Sequence, residues 1–152
     1  MEPWQLAARE AIRDTIAQYT WRAEFMEVEA FGLLFREDAV LEIKGGRTYR
    51  GREEIRSMLG ATKQRAQAGG PAPGGAPVVL RHHVSSIRIE LDARDRARAF
   101  SYFAVFGPEG PDHWGRYADE LVPEGERWLF ARRRVSVDGA VRASRLWPPP
   151  AS

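Results

Sequence analysis

Apolar residues recur at near-helical spacing at the start of the chain: Leu6, Ile12, Ile16 and Tyr19, with Arg9, Glu10, Arg13 and Asp14 between them. This period predicts an amphipathic helix over residues 5–22. A second helical stretch follows from about 27 to 35, with Val28, Phe31, Leu34 and Phe35 as its apolar stripe and Glu37-Asp38 ending it. Residues 39–43 and 47–50 read as two short strands joined by a Gly45-Gly46 turn. Gly51-Arg52-Glu53-Glu54-Ile55 opens a third helix, with acidic residues in the first turn where the helix dipole favours them. Ile55, Met58 and Leu59 form its apolar face. Residues 67–77 are rich in Gly and Pro and hold neither a helix nor a ladder. They predict a mobile loop, either a lid over a pocket or an insertion.

The pattern then changes to strands. Residues 78–91, 97–106, 114–122 and 128–137 are separated by turn material, which predicts an antiparallel meander. The tail, 141–152, reads as extended through Leu146-Trp147-Pro148-Pro149-Pro150. No repeat interrupts the 152 residues, so residues 1–152 are expected to form a single domain. The expected fold class is α+β: three N-terminal helices packed in a curved, mostly antiparallel sheet. Strands wrapping the long first helix make a cone-shaped α+β barrel with a cavity between helix and sheet.

Composition narrows the chemistry. The absence of cysteine excludes disulfides, thiolate catalysis and cysteine-ligated metals. Of three histidines, His82 and His83 are adjacent and point to opposite faces of a strand. No His-x-x-x-His or Glu-x-x-His spacing occurs, so no metal site is expected. The net charge of +2 is too small to argue for nucleic acid, and the Arg132-Arg133-Arg134 run falls on an alternating strand that splits it between two faces. No apolar run approaches the roughly 20 residues of a membrane span. Met1-Glu2-Pro3-Trp4 has no basic flank before a hydrophobic stretch, so a cytoplasmic location is the expectation.

The candidate chemistry lies in Arg81-His82-His83-Val84-Ser85-Ser86-Ile87-Arg88-Ile89-Glu90 and in the first helix, which carries Tyr19 and Glu24. A neutral imidazole with an ordinary pKa near ~6.5 accepts a proton close to neutral pH. A carboxylate on its other ring nitrogen fixes the tautomer and stabilises the imidazolium. His82 is thus the candidate base, Glu24 its orienter, and Tyr19 or Tyr49 a donor to a departing oxygen or developing enolate. Trp21, Phe100, Tyr102 and Trp114 are candidate walls of an apolar cavity. Arg132 shares strand parity with Trp128 and Phe130, which predicts that it points inward to meet an anionic group. Asp119, if it faces in, is a second acid suited to activating water.

The ordered pieces Ile12 to Glu24, Phe35 to Val40, Tyr49 to Ile55, Arg81 to Ile87, Gly115 to Leu121 and Trp128 to Arg133 resemble the SnoaL-like branch of the nuclear transport factor 2-like superfamily. Within it the chain is similar to scytalone dehydratase and hexachlorocyclohexane dehydrochlorinase, cofactor-free lyases that use a histidine–carboxylate pair. The resemblance places their strand histidine on His82. It also places the dehydrochlorinase's helix aspartate on Glu24 and its helix lysine on Tyr19, and a typical asparagine on Ser86. It implies a cofactor-independent lyase or dehydratase, isomerase or cyclase acting on a small apolar, polyketide-like molecule in secondary metabolism. A homodimer or higher homo-oligomer is also implied. One alternative is an epoxide-opening hydrolase using Asp119 with Arg116 or Arg132. Another is a non-catalytic small-molecule-binding or assembly module that presents Ile87, Ile89 and Leu91 on the outer sheet face.

Overall fold

The computed structural model describes residues 1–147; the expected extended tail therefore lies partly outside the described residues. Helix α1 runs Pro3–Glu24, with proline in its first turn and Gln5 accepting from the Glu2 backbone N–H at 2.8 Å. Its buried stripe is Ala8, Ile12, Thr15 and Ile16, the i, i+4, i+7, i+8 spacing of one helix face. Thr15 lies inside this stripe because its hydroxyl donates to the Trp128 carbonyl at 2.6 Å, tying α1 to the sheet. Helix α2 is only Val28–Gly32, shorter than the sequence period suggests. The chain turns into strand early, since Phe130 N–H donates to the Leu34 carbonyl at 2.9 Å and recruits Phe35 to the sheet.

Strands β1 (Phe35–Ile43) and β2 (Thr48–Arg50) form a hairpin, and α3 spans Arg52–Ala68. The Gly/Pro-rich segment begins after Ala68 and contains a short 3-10 turn at Pro73–Gly75. Four long strands follow: β3 (Arg81–Leu91), β4 (Ala97–Gly107), β5 (Gly110–Glu124) and β6 (Arg127–Ala140). The sheet order is β2-β1-β6-β5-β4-β3; β1–β6 is parallel and every other pair antiparallel. The sheet is α+β in class and curved, but β2 and β3 remain as edges, so it does not close into a barrel. Among the described residues, no helix is long and apolar enough to cross a membrane.

The core lies between α1 and the concave face. Ile12, Ile16, Phe35, Leu41, Ile55, Leu121 and Phe130 are wholly buried there. Local irregularities decide which strand residues reach it. On β3, Ser85 pairs with Tyr102 and Arg88 with Phe100, so Ser86 and Ile87 together oppose Ser101 alone. Ser86 takes up the extra residue at φ 52°. This bulge switches the inward parity from His82 and Val84 to Ile87, Ile89 and Leu91. Those three apolar residues therefore pack on the core and do not supply an outer assembly face.

Candidate active site

A cavity of about 140 Å³ opens on the concave side between α1, α3 and the sheet. Tyr19, Tyr49, His82, Phe103, His113 and Tyr117 bring the chemistry to its wall. His82 pairs with Val105 across β3–β4, and Val105 with His113 across β4–β5. Both imidazoles thus sit in one row on one face, their backbones two strand spacings apart, roughly 9–10 Å.

Glu24 closes the C-terminal end of α1 onto β3. Its Oε1 accepts from the His82 backbone N–H at 2.6 Å and lies 3.5 Å from His82 Nδ1. Its Oε2 accepts from Arg81 Nη1 at 3.0 Å. His82 Nδ1 is buried and has no hydrogen-bond partner among the described residues, so a movement of about 0.5 Å would complete its bond to the carboxylate. Burial works to raise the Glu24 carboxyl. The His82 ring and backbone N–H, with Arg81 beside them, outweigh it and hold Glu24 below the usual carboxylate range. The group is therefore ionised at neutral pH and faces the imidazole as an acceptor.

A second imidazole–carboxylate pair stands on the same face. His113 Nδ1 lies 2.6 Å from Asp112 Oδ1, and both residues are buried. Two adjacent strand residues normally point to opposite faces. Here Val105 pairs with His113 and Phe106 with Pro111, leaving Asp112 as the extra residue of a bulge. The tail secures it: Ser144 Oγ donates to Asp112 Oδ1 and the Arg145 backbone N–H to Oδ2, each at 2.6 Å. Burial pulls upward on the Asp112 carboxyl, but the Ser144, Arg145 and His113 bonds together bring it below its ordinary value. His113 is lowered by its burial, against the opposing pull of Asp112. A neutral His113 that donates Nδ1–H to Asp112 keeps its lone pair on Nε2 (the tautomer follows from the acceptor-only carboxylate).

Tyr19 and Tyr117 complete the polar lining. Burial raises both phenols, so both are O–H donors at neutral pH. Beneath them lies Arg133, wholly buried, with its guanidinium carbon 4.1 Å from the Tyr19 ring centroid and 4.2 Å from those of Tyr117 and Phe130. Asp119 engages it bidentately at 2.8 and 2.7 Å. Burial pushes the Asp119 carboxyl up while the Arg133 bonds pull it down; Arg133 itself stays charged.

The expected pocket residues separate accordingly. His82, Tyr19 and Tyr49 line the cavity, with Glu24 directly behind His82. Asp119 does face inward, but its carboxylate is taken by Arg133 and does not reach the cavity wall. Trp21 is 60% exposed and packs on Phe25, away from the cavity. Phe100, Tyr102 and Trp114 lie on the convex face, because the alternate positions Ser101, Phe103, His113 and Gly115 take the concave one. Arg132 points out and pairs with Glu42, while Arg133 points in. The parity inherited from Phe130 is broken at Ala131: Leu121 pairs with Phe130 and Glu120 with Arg132, leaving Ala131 as a bulge. His83 faces away, edge-on to Phe106, as its neighbour's position requires.

His113, Asp112, Phe103, Tyr117 and Arg133 are the residues that sequence reasoning missed. Asp112-His113 falls in a Gly- and Pro-bearing segment that resembles a turn. Counting strand parity back from Tyr117 would have placed His113 on its face.

The sequence matches the SnoaL-like domain over residues 4–134, and the chain belongs to that family. No curated protein matches it by sequence. Among solved structures it superposes on LinA with a TM-score of 0.76 at 17% identity, covering 96% of this chain and 97% of that one. A Novosphingobium aromaticivorans protein whose assignment as a scytalone dehydratase is provisional gives 0.73 at 21% identity, covering 95% of each chain. A Catenulispora acidiphila protein in complex with S-DNPA gives 0.72 at 22% identity, covering 88% of this chain and 95% of that one.

Proposed function

We propose that this SnoaL-like chain is a cofactor-independent acid–base enzyme, of lyase, isomerase or cyclase type, acting on a small and largely apolar molecule. The observation that carries this reading is two imidazoles, His82 and His113, in one row on the wall of one cavity, each beside its own carboxylate, Glu24 and Asp112. One imidazole takes a proton from carbon, and its carboxylate stabilises the imidazolium. The Tyr19 or Tyr117 hydroxyl donates to the oxygen on which negative charge develops. The imidazolium so formed then gives that proton to the departing or newly basic atom. Loss of water, double-bond migration and ring closure all need this pair of transfers.

Size limits what enters. A cavity of about 140 Å³ matches the ~150 Å³ apolar cavity known to bind benzene, so it holds one six-membered ring. The epoxide-opening alternative needs a free Asp119 carboxylate, and Arg133 occupies both of its oxygens.

Proton abstraction can be tested without the natural substrate. Cyclohexanone in D2O should exchange its α-protons faster with the protein, followed by NMR. His82→Ala or His113→Ala should each remove at least about tenfold of that rate, as expected for general-base loss. Exchange that persists undiminished in both variants would sink the acid–base reading.

A further inference from the structure

We propose that the groove on the far side of His82 is a second substrate lobe, which takes an apolar chain ending in an anionic group. The substrate class is then a single ring bearing an extended tail with a carboxylate-like end. This rests on the inner cavity receiving the ring.

The groove holds about 480 Å³, more than three times the inner cavity, and runs between the end of α1, α3 and the extended residues 77–80. It shares His82, Thr62 and Leu146 with that cavity, so the two adjoin and His82 borders both. A molecule reacting at His82 can therefore occupy both. The groove walls are Phe25, Met26, Leu59, Ala66 and Leu80, a surface for methylenes. Its charge points to the end of the chain. Lys63 and Arg81 stand on it, and the one carboxylate there, Glu24, already bonds to Arg81 and His82. Lys63 is exposed and pairs with no acid among the described residues. The lining keeps one uncompensated positive charge, which favours an anion over a neutral or cationic end.

Isothermal titration of the full chain with phenol, 4-propylphenol, 4-hexylphenol and 6-(4-hydroxyphenyl)hexanoic acid tests this. Each buried methylene should tighten binding about three- to fourfold, the equivalent of ~0.8 kcal/mol per methylene. Ala66→Trp fills the groove and should abolish the chain-length gain while leaving phenol binding unchanged. Lys63→Glu, at an exposed position, should weaken the carboxylate-ended probe at least tenfold and 4-hexylphenol less than threefold. Phenol binding with no gain from added methylenes, or a gain that survives in well-folded Ala66→Trp, overturns the second lobe alone. An anionic probe indifferent to Lys63→Glu overturns the anionic end. No binding of phenol itself would remove the ring-in-cavity reading and this proposal with it.

Discussion

Replacing Asp119 by Asn isolates the buried charge on which the cavity floor rests. The substitution preserves shape and removes one charge. In the native chain Arg133 has no solvent exposure; its Nε and Nη2 donate to Asp119 at 2.8 and 2.7 Å, and its Nη1 has no hydrogen-bond partner among the described residues. The three rings around it are present before and after the change, so their attraction for the cation compensates nothing. The variant leaves a buried guanidinium facing a neutral amide, a loss of about 3–5 kcal/mol. That is a large share of the roughly 5–15 kcal/mol that stabilises a domain. At about 2–4 °C per kcal/mol for a chain of this size, the melting temperature should fall by about 6–20 °C. Thermal unfolding followed by tryptophan fluorescence at pH 7 measures that shift, and urea denaturation measures the free-energy loss. Asp119→Leu/Arg133→Met, which removes both charges, should be more stable than Asp119→Asn alone, since apolar replacement of a whole buried pair is often near neutral. Asp119→Asn within about 1 kcal/mol of wild type, or a double variant less stable than the single, would refute the argument. Either outcome would mean that Arg133 draws its compensation from elsewhere.

Other outcomes follow from single contacts. The His113 ring should titrate below the ordinary histidine value of 6.5 by NMR, and Asp112→Asn should move it lower still, because Asp112 is the group that raises it. A histidine lowered on folding binds fewer protons native than unfolded, so its contribution makes stability fall as pH drops below about 6.5; His113→Gln should flatten that slope. Glu24 is lowered on folding, so it stabilises above its unfolded value of 4.5 and loses that effect as pH falls through the lower folded value. The stability gap between wild type and Glu24→Gln should therefore close on acidification, measured by urea midpoints at pH 7 and pH 3. Gly115→Ala should destabilise by about 1–3 kcal/mol in thermal melts, because an added Cβ would sit 2.0 Å from the Ser136 carbonyl oxygen and force backbone shifts of β5 against β6. Ser144→Ala removes a bond to a charged acceptor at 2.6 Å and should cost about 1.5–3 kcal/mol, with exchange broadening of the His113 resonances as the check on local loosening.

The fold was largely legible because its signals are periodic. The helical period of α1, the acidic first turn of α3 and the four apolar alternations separated by turn residues each survive in the structure within a few residues, although Leu6 of the expected α1 stripe is exposed and Ala8 stands on the buried face instead. Helix α2 was overdrawn because Leu34 and Phe35 continue a helical stripe locally while the β6 backbone claims them for the sheet. At the site, Glu24 and His82 could be paired because each lies on a regular element whose direction is set by its neighbours. The departures have two sources. Aromatic character alone suggests Phe100, Tyr102 and Trp114 as cavity walls, although Ser101, Phe103 and His113 hold the inward register. A strict period of two carried through Ala131 turns Arg132 inward, but the period slips by one there.

Such slips are a geometric necessity of this site. A regular strand offers only every second residue to the concave face, and a carboxylate cannot stand beside the imidazole next to it in sequence. Asp112 and His113 are both buried because β5 inserts one residue against β4 between Phe106 and Val105. Arg133 comes under the tyrosines because β6 inserts Ala131. Ile89 reaches the core from the strand that also presents His82, because β3 takes an extra residue at Ser86. Each slip costs ladder hydrogen bonds and gains a side chain that no unbroken alternation could deliver. A reading based on period alone therefore works across the scaffold and fails where the strands depart from it, which is where the second imidazole and the buried arginine stand.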